Sequence, residues 1–463
     1  MREASRQADL MSEMQQTNRL TLDFGEVESH INRSSEAVIA DHLIESPTGQ
    51  IQLMETICER ENMKQALRRV RRNKGAPGID GMTVEELPGY LRRHWPRIKA
   101  ELLSGQYKPM PVRRKDIEKS DGGIRPLGIP TVLDRLIQQA TAQVLTAIWD
   151  RTFSEFSYGF RPGRSQKMAI EQARGYIKDG HGFVVDLDLE KFFDRVNHDR
   201  LMSRMSTRVH DKRVLKLIGR FLRSGVMIGG LVEPTEEGAP QGGPLSPMLS
   251  NIVLDELDKE LEQRGLHFVR YADDCVIYVK SKRAGDRVKE SISRFITRRL
   301  KLKVNESKSS VTQPGYTKYL GFGFTISKTN PKIRIHSKSI EKFCGRVRAI
   351  TVRTRGRKLE HVIADLNEYV RGWWGYFSLC EARTCLTALN AWIIRRLRAY
   401  VWKQWKNRRT RVRELIQRGI SVYWAAQVGT TRKGPWRLSR NTTVAIALPE
   451  MYFTKKLGLV LPG

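Results

Sequence analysis

The sequence predicts an α+β protein with an antiparallel sheet at its core, followed by an all-helical C-terminal third. Three observations predict it. Short strand-like stretches alternate with amphipathic helices through the middle of the chain. The run HFVRYADDCVIYVK at 267–280 is two apolar, β-branched and aromatic strands folded back at an acidic turn. After about Gly323 strand signals fade, and helices rich in Trp and Arg take over.

The elements follow in order. Leu53 to Lys74 carries apolar residues at helical spacing and a basic end. It stops at Gly75-Ala76-Pro77-Gly78-Ile79-Asp80-Gly81, a loop dense in turn residues. Val84 to Leu103 is a second helix. Pro109 to Ile129 is strand-like, with Asp121-Gly122-Gly123 turning between two basic arms. Asp134 to Trp149 is amphipathic helix. Glu237 to Pro247 packs glycines and prolines too densely for any regular element, and a helix over Met248 to Leu261 follows. The stretch from Arg395 to Arg413 holds nine Lys/Arg and no acid, interleaved with Tyr400, Trp402 and Trp405. Trp402 and Trp405 share one helix face, suited to anchoring the fold, while the cations spread over the remainder and suit phosphate.

Composition bounds the partners. With 82 Lys+Arg against 50 Asp+Glu among 463 residues, the net charge is +32 and the pI about 10.2. An excess that large points to a polyanion, nucleic acid above all. Residues 1–45 are the exception, with 4 Arg and 9 Asp+Glu, and read as a flexible acidic extension. No apolar run reaches the roughly 18 residues of a membrane span, and no signal pattern opens the chain. The expected location is cytoplasmic, with no membrane partner. Five scattered cysteines, Cys58, Cys275, Cys344, Cys380 and Cys385, fit free thiols in a reducing compartment. His198 and His361 lack ligand-spaced partners and read as structural.

The chemistry gathers on carboxylates. Asp273 and Asp274 are adjacent charges between apolar strands, a costly arrangement unless a cation neutralises them. An all-oxygen donor set favours Mg²⁺ or Mn²⁺. Taken alone, the pair also fits an exposed turn. A second cluster lies in Phe183-Val184-Val185-Asp186-Leu187-Asp188, where alternation puts Asp186 and Asp188 on one strand face. Three carboxylates converging on two cations would suit phosphoryl transfer.

The order of these segments resembles the reverse transcriptases of the group II intron type over roughly residues 50–440. The resemblance rests on A-P-Q-G-G-P-L-S-P at 239–247, D-L-E-K-F-F-D at 188–194 and Y-A-D-D at 271–274. It extends to Leu302–Ser309, Tyr319-Leu320-Gly321-Phe322, the Gly75–Gly81 loop and Gly372-Trp373-Trp374-Gly375-Tyr376-Phe377. The detailed wording is most similar to the compact class C enzymes, and no His/Cys array after residue 440 suggests an endonuclease.

The resemblance implies a right-hand polymerase. Its parts would be an N-terminal extension of the fingers at 46–110, fingers and palm at 111–328, a helical thumb or maturase domain at 329–413 and a short basic segment at 414–463. It implies catalytic Asp188, Asp273 and Asp274, with the Leu189 carbonyl as a further ligand to two Mg²⁺. Phe193 would exclude a ribose 2′-OH, Lys119 and Arg125 would clamp the triphosphate, Gln241 would touch the incoming nucleotide, and Lys308 would stand near its phosphates. Arg371, Arg395, Arg396, Arg398, Lys403, Lys406, Arg408 and Arg409 would bind nucleic acid. The implied activity is RNA-directed DNA polymerisation on an RNA template with a DNA primer and dNTPs. Intron RNA and target DNA are the further implied partners, for splicing and mobility. A host-adopted enzyme of DNA repair or phage defence would carry the same core.

Overall fold

The computed structural model describes residues 52–463 except 119–122, 229–230, 234–237, 239–241 and 328–329. The acidic extension, Lys119, Gln241 and most of the Asp121 turn therefore lie outside the described residues, as does the side chain of Arg125. The chain divides into two compact units, Met1–Gln313 and Pro314–Gly463.

Among the described residues the first unit begins with α1 (Leu53–Ile57) and α2 (Arg60–Arg72). Sequence periodicity expects one helix here. The break comes at Cys58-Glu59, where Glu59 is extended at ψ 144°. Both pieces bury apolar residues, and Asn62 of α2 donates to the Ile57 carbonyl across the break (2.9 Å). Helix α3 (Leu87–Leu103) starts three residues later than expected. Thr83 and Glu86 cap each other ahead of it, the Thr83 N–H and hydroxyl both donating to the Glu86 carboxylate at 2.8 and 2.9 Å.

Strands β1 (Val112–Glu118) and β2 (Ile124–Ile129) form the expected antiparallel hairpin. Helix α4 (Val132–Trp149) follows, capped by the Thr131 hydroxyl. Buried Asp134 fixes its first turn, accepting from Tyr107 Oη (2.9 Å), Thr131 Oγ1 (2.7 Å) and the Met110 N–H (3.1 Å). The Gly75–Gly81 loop docks at this same end. A Cβ on Gly78 would stand 2.6 Å from the Thr131 Cα, and Arg135 donates to the Ala76 carbonyl at 2.6 Å.

Next come α5 (Gln166–Lys178), β3 (Phe183–Leu187), α6 (His198–Ser206), α7 (Lys212–Leu222), β4 (Val226–Ile228) and β5 (Leu231–Glu233). The unit ends with α8 (Ser246–Gln263), β6 (His267–Tyr271), β7 (Asp274–Val279), α9 (Lys282–Phe295) and β8 (Ser310–Thr312). One sheet has the order β2-β1-β4-β5; the other, fully antiparallel, runs β6-β7-β3-β8. The core is continuous, from Leu53 and Leu136 through Leu217 and Leu249 to Ile277 and Ile292, each 3% exposed or less.

The second unit holds one more strand pair, β9 (Phe322–Phe324) with β10 (Ile333–Ile335), so strands outlast the point where the sequence pattern lost them. Three-residue strands are too short for alternation to register. Helices α10 (Ser337–Ile350), α11 (Leu359–Phe377), α12 (Arg383–Gln404), α13 (Arg408–Gln417) and α14 (Val422–Gly429) make up most of the remainder. The Gly372–Phe377 motif packs here as core: Phe377 lies 5.0 Å from Phe322 and Trp373 4.2 Å from Phe343, centroid to centroid. Tyr376 donates to the Leu320 carbonyl at 3.1 Å.

Candidate active site and nucleic-acid surface

The acidic turn is a two-residue hairpin. Tyr271 pairs with Asp274, leaving Ala272 and Asp273 at the tip. Ala272 has φ 58°, a left-handed conformation that glycine would take more readily. Three neighbours hold it. The fully buried Arg270 donates to the Ala272 carbonyl at 2.9 Å, and its Nε reaches Asp258 at 2.7 Å. Gly159 presses so close that a Cβ there would lie 2.3 Å from the Ala272 nitrogen. Asn251, also buried, ties the Gly159 carbonyl (2.9 Å) to the same guanidinium (2.9 Å). Burial opposes charge on Arg270, but the Asp258 carboxylate outweighs it and holds the guanidinium proton more tightly than usual.

Asp188 comes from the neighbouring strand. The last pair of the β3–β7 ladder is Leu187 with Cys275, and one residue further the same register opposes Asp188 to Asp274. Opposed residues in an antiparallel ladder have Cα atoms about 4.5–5.5 Å apart and side chains on one face. Beyond the strand, Asp188 stays anchored: its N–H donates to Ser309 Oγ (3.0 Å) and its carbonyl accepts from the Asn305 N–H (2.8 Å). Leu189 bridges Val304, but both ladder bonds come from its neighbours, which leaves the Leu189 carbonyl out of that bridge. Asp186 is two residues back on the same face. Burial, with the Asp188 charge beside it, pushes its carboxyl up to about 6. Among the described residues no three or more His, Cys, Asp or Glu side chains are gathered tightly enough, as placed, to hold a metal ion. The ladder thus brings the strands that carry the acidic residues side by side.

Residues 117–324 match the family Reverse transcriptase (RNA-dependent DNA polymerase), and residues 340–419 match the Group II intron, maturase-specific domain. Protein YkfC of Escherichia coli (strain K12) is 34% identical over 57% of this chain and 80% of its own length. The chain belongs to the reverse transcriptases of the group II intron type. The Group II intron-encoded protein LtrA of Lactococcus lactis subsp. cremoris is 30% identical over 56% of this chain, which spans about half (54%) of LtrA. A Putative COX1/OXI3 intron 2 protein of Saccharomyces cerevisiae is 33% identical over 43% of this chain and 23% of its own. The enzyme is an RNA-directed DNA polymerase, of a divalent-metal-dependent class.

The residues expected to hold such a metal would fit it by chemistry: three hard carboxylates and a backbone carbonyl, with no sulfur or imidazole among them. Phe193 lies in a 3₁₀ turn, half-buried, edge-to-face with Phe192 at 5.2 Å and 71°. Lys308 is exposed, one residue before the buried Ser309 that holds Asp188. His198 is buried and bonds the Gly238 carbonyl, a structural role as expected. All five cysteines are free.

In the second unit the expected basic face is divided. Arg395 leans over Trp436 at 3.7 Å, Arg396 donates to Thr351 Oγ1 (2.6 Å) and Arg398 to the Leu448 carbonyl (2.8 Å). These three are half-buried and knit the unit together. Arg371, Lys403, Lys406, Arg408 and Arg409 are exposed. Trp402 (0% exposed) and Trp405 (7%) are core, as the sequence reading expected of them. Arg408, Arg409 and Arg413 rim an open cavity of about 510 Å³ lined by Val412 and Ile416. No helix among the described residues is long and apolar enough to cross a membrane.

Sequence reasoning missed Arg270, Asn251, Asp258 and Gly159. The one signal for them was a charge inside the apolar run HFVRY, which can sit in a buried strand only with a buried partner.

Proposed function

We propose that the chain copies RNA into DNA at a centre formed by Asp188, Asp273 and Asp274, with the Leu189 carbonyl, holding two Mg²⁺ (Mn²⁺ in substitution). The observation that carries this is the β3–β7 ladder, whose last pair, Leu187 with Cys275, adjoins Asp188 on one strand and Asp274 on the other. Bound among these oxygens, divalent cations supply charge neutralisation at the transferring phosphoryl group and acidify the primer 3′ hydroxyl. The protein's own work is positioning. The ladder fixes the two acidic segments, and Ser309 and Asn305 hold Asp188. Phe193 closes the space under the sugar, so a deoxyribose fits and a 2′-OH clashes. Lys119, Arg125 and Lys308 meet the triphosphate, and Gln241 meets the nucleotide.

In this reading, residues 46–110 extend the fingers, 111–328 make fingers and palm, 329–413 the thumb and 414–463 a short basic segment. Exposed Arg371, Lys403, Lys406, Arg408 and Arg409 meet the phosphates of template–primer, intron RNA and target DNA. Binding its own intron RNA, the chain assists splicing.

Two assays test this. On a primed RNA template with dNTPs the parent extends the primer and Asp273→Ala does not; equal extension by both rejects the centre. Splicing of the flanking intron at low Mg²⁺ should accelerate when protein is added, and an unchanged rate rejects the splicing role.

A further inference from the structure

The acidic turn rests on a buried polar network built on Arg270 and Asp258. Arg270 and Asp258 are both 0% exposed and face each other through two hydrogen bonds, Nε to Oδ1 and Nη2 to Oδ2. The remaining nitrogen, Nη1, donates to Asn251 Oδ1 and to the Ala272 carbonyl, 2.9 Å each. Asn251 passes the link on, its Nδ2 donating to the Gly159 carbonyl at 2.9 Å. The segment carrying Gly159 lies parallel to β6, with the Arg270 N–H donating to Phe156 and the Tyr158 N–H to the Arg270 carbonyl, 2.9 Å each. Asn251 and Asp258 stand two turns apart on one face of α8, the helix that begins just after the Gly242–Leu245 loop.

Stability alone is a poor account of this arrangement. Two charges with no water contact pay a large desolvation cost, and apolar residues of the same volume often serve a fold equally well. What an apolar residue could not do is grip the Ala272 carbonyl, one bond ahead of Asp273, while the bare backbone of Gly159 packs against the turn where a Cβ would stand 2.3 Å from the Ala272 nitrogen. The fork geometry of a guanidinium suits this, reaching a carboxylate, an amide and a carbonyl at once.

We propose that Arg270, held by Asp258 and Asn251 of α8 and flanked by Gly159, is a positioning residue that aims Asp273 and Asp274 and so sets the metal affinity of the centre. The inference rests on reading those two aspartates as metal ligands. Partners one step removed from a metal commonly carry about ten- to a hundred-fold of its affinity.

The full-length protein, free of nucleic acid, is titrated with Mn²⁺ while the free ion is followed by its paramagnetic resonance signal. Single-turnover nucleotide addition is then measured against Mg²⁺ concentration, with melting in metal-free buffer as the folding control. Arg270→Lys is the obvious variant, but it leaves buried Asp258 poorly matched and would melt early. Asn251→Ser and Gly159→Ala keep the ion pair and carry the test. Both should bind Mn²⁺ about ten-fold more weakly and need about ten-fold more Mg²⁺ for half-maximal rate, with excess Mg²⁺ restoring most of it. Parent-like Mn²⁺ affinity and Mg²⁺ dependence in both variants overturn the inference. Asp273→Asn separates the two readings. If it loses Mn²⁺ binding while the other variants do not, only the inference fails; if it binds as the parent does, the ligand reading fails with it.

Discussion

In the proposed mechanism the single ring of Phe193 tells two sugars apart. It sits half-buried against Phe192, so shrinking it opens space without emptying the core. Phe193→Val should raise ribonucleotide incorporation relative to deoxynucleotide by about ten-fold or more, read as the ratio of the two kcat/KM values; an unchanged ratio removes the ring from selection. Arg213 is a second residue with a measurable consequence. It grips Glu55 with two bonds of 2.7 Å and buried Asp211 at 2.9 Å. The hydrogen bonds from Arg213 hold Glu55 below its usual range. In Asp211 burial pushes upward, but Arg213 and the Met54 N–H outweigh it and the net shift is down. Carboxyls depressed in the native state stabilise it above their unfolded values, near pH 4, and lose that contribution as pH falls through the folded ones. Arg213→Met should therefore cost about 2 kcal/mol at pH 7 by urea denaturation, and its gap from the parent should close below pH 4. A gap independent of pH contradicts the linkage. The three aspartates proposed as the catalytic centre stood out because charge beside apolar strand residues is conspicuous in a sequence. Arg270, Asn251 and Gly159 did not, because the network joining them includes partners far apart in sequence, 92 residues for Asn251 with Gly159 and 19 for Asn251 with Arg270.

Among elements, α12 and α13 show how one basic, aromatic stretch splits between fold and surface. Trp402→Ala empties a fully buried site and should destabilise the second unit by ~3–5 kcal/mol in denaturant unfolding. Replacing exposed Arg408 and Arg409 by Ala should leave stability unchanged. It should instead lower the slope of log K against log salt for RNA by roughly 1.4–1.8, and an unchanged slope takes them off the phosphate path. Helix periodicity gave α4 and the helix after the Gly242 loop to within a turn, because long amphipathic stretches carry many repeats. It joined α1 to α2, since neither Gly nor Pro marks the break at Glu59. It also missed Ile333–Ile335, a strand made by pairing with Phe322–Phe324 rather than by its own pattern.

For the molecule as a whole, the charge of +32 accounts for affinity to nucleic acid but not for chemistry. In the proposed mechanism, chemistry depends on two segments some 85 residues apart in sequence meeting at the ends of β3 and β7, the two central strands of one sheet, whose ladder ends at Leu187 with Cys275. The claim that turns on this is that Asp188, not Asp186, joins Asp273 and Asp274. Single-turnover addition of one dNTP to a primed RNA template, compared for Asp188→Asn and Asp186→Asn at saturating template–primer, measures it. The account predicts a loss of roughly a thousand-fold or more for Asp188→Asn and of about ten-fold or less for Asp186→Asn. Equal losses, or the reverse order, would contradict it.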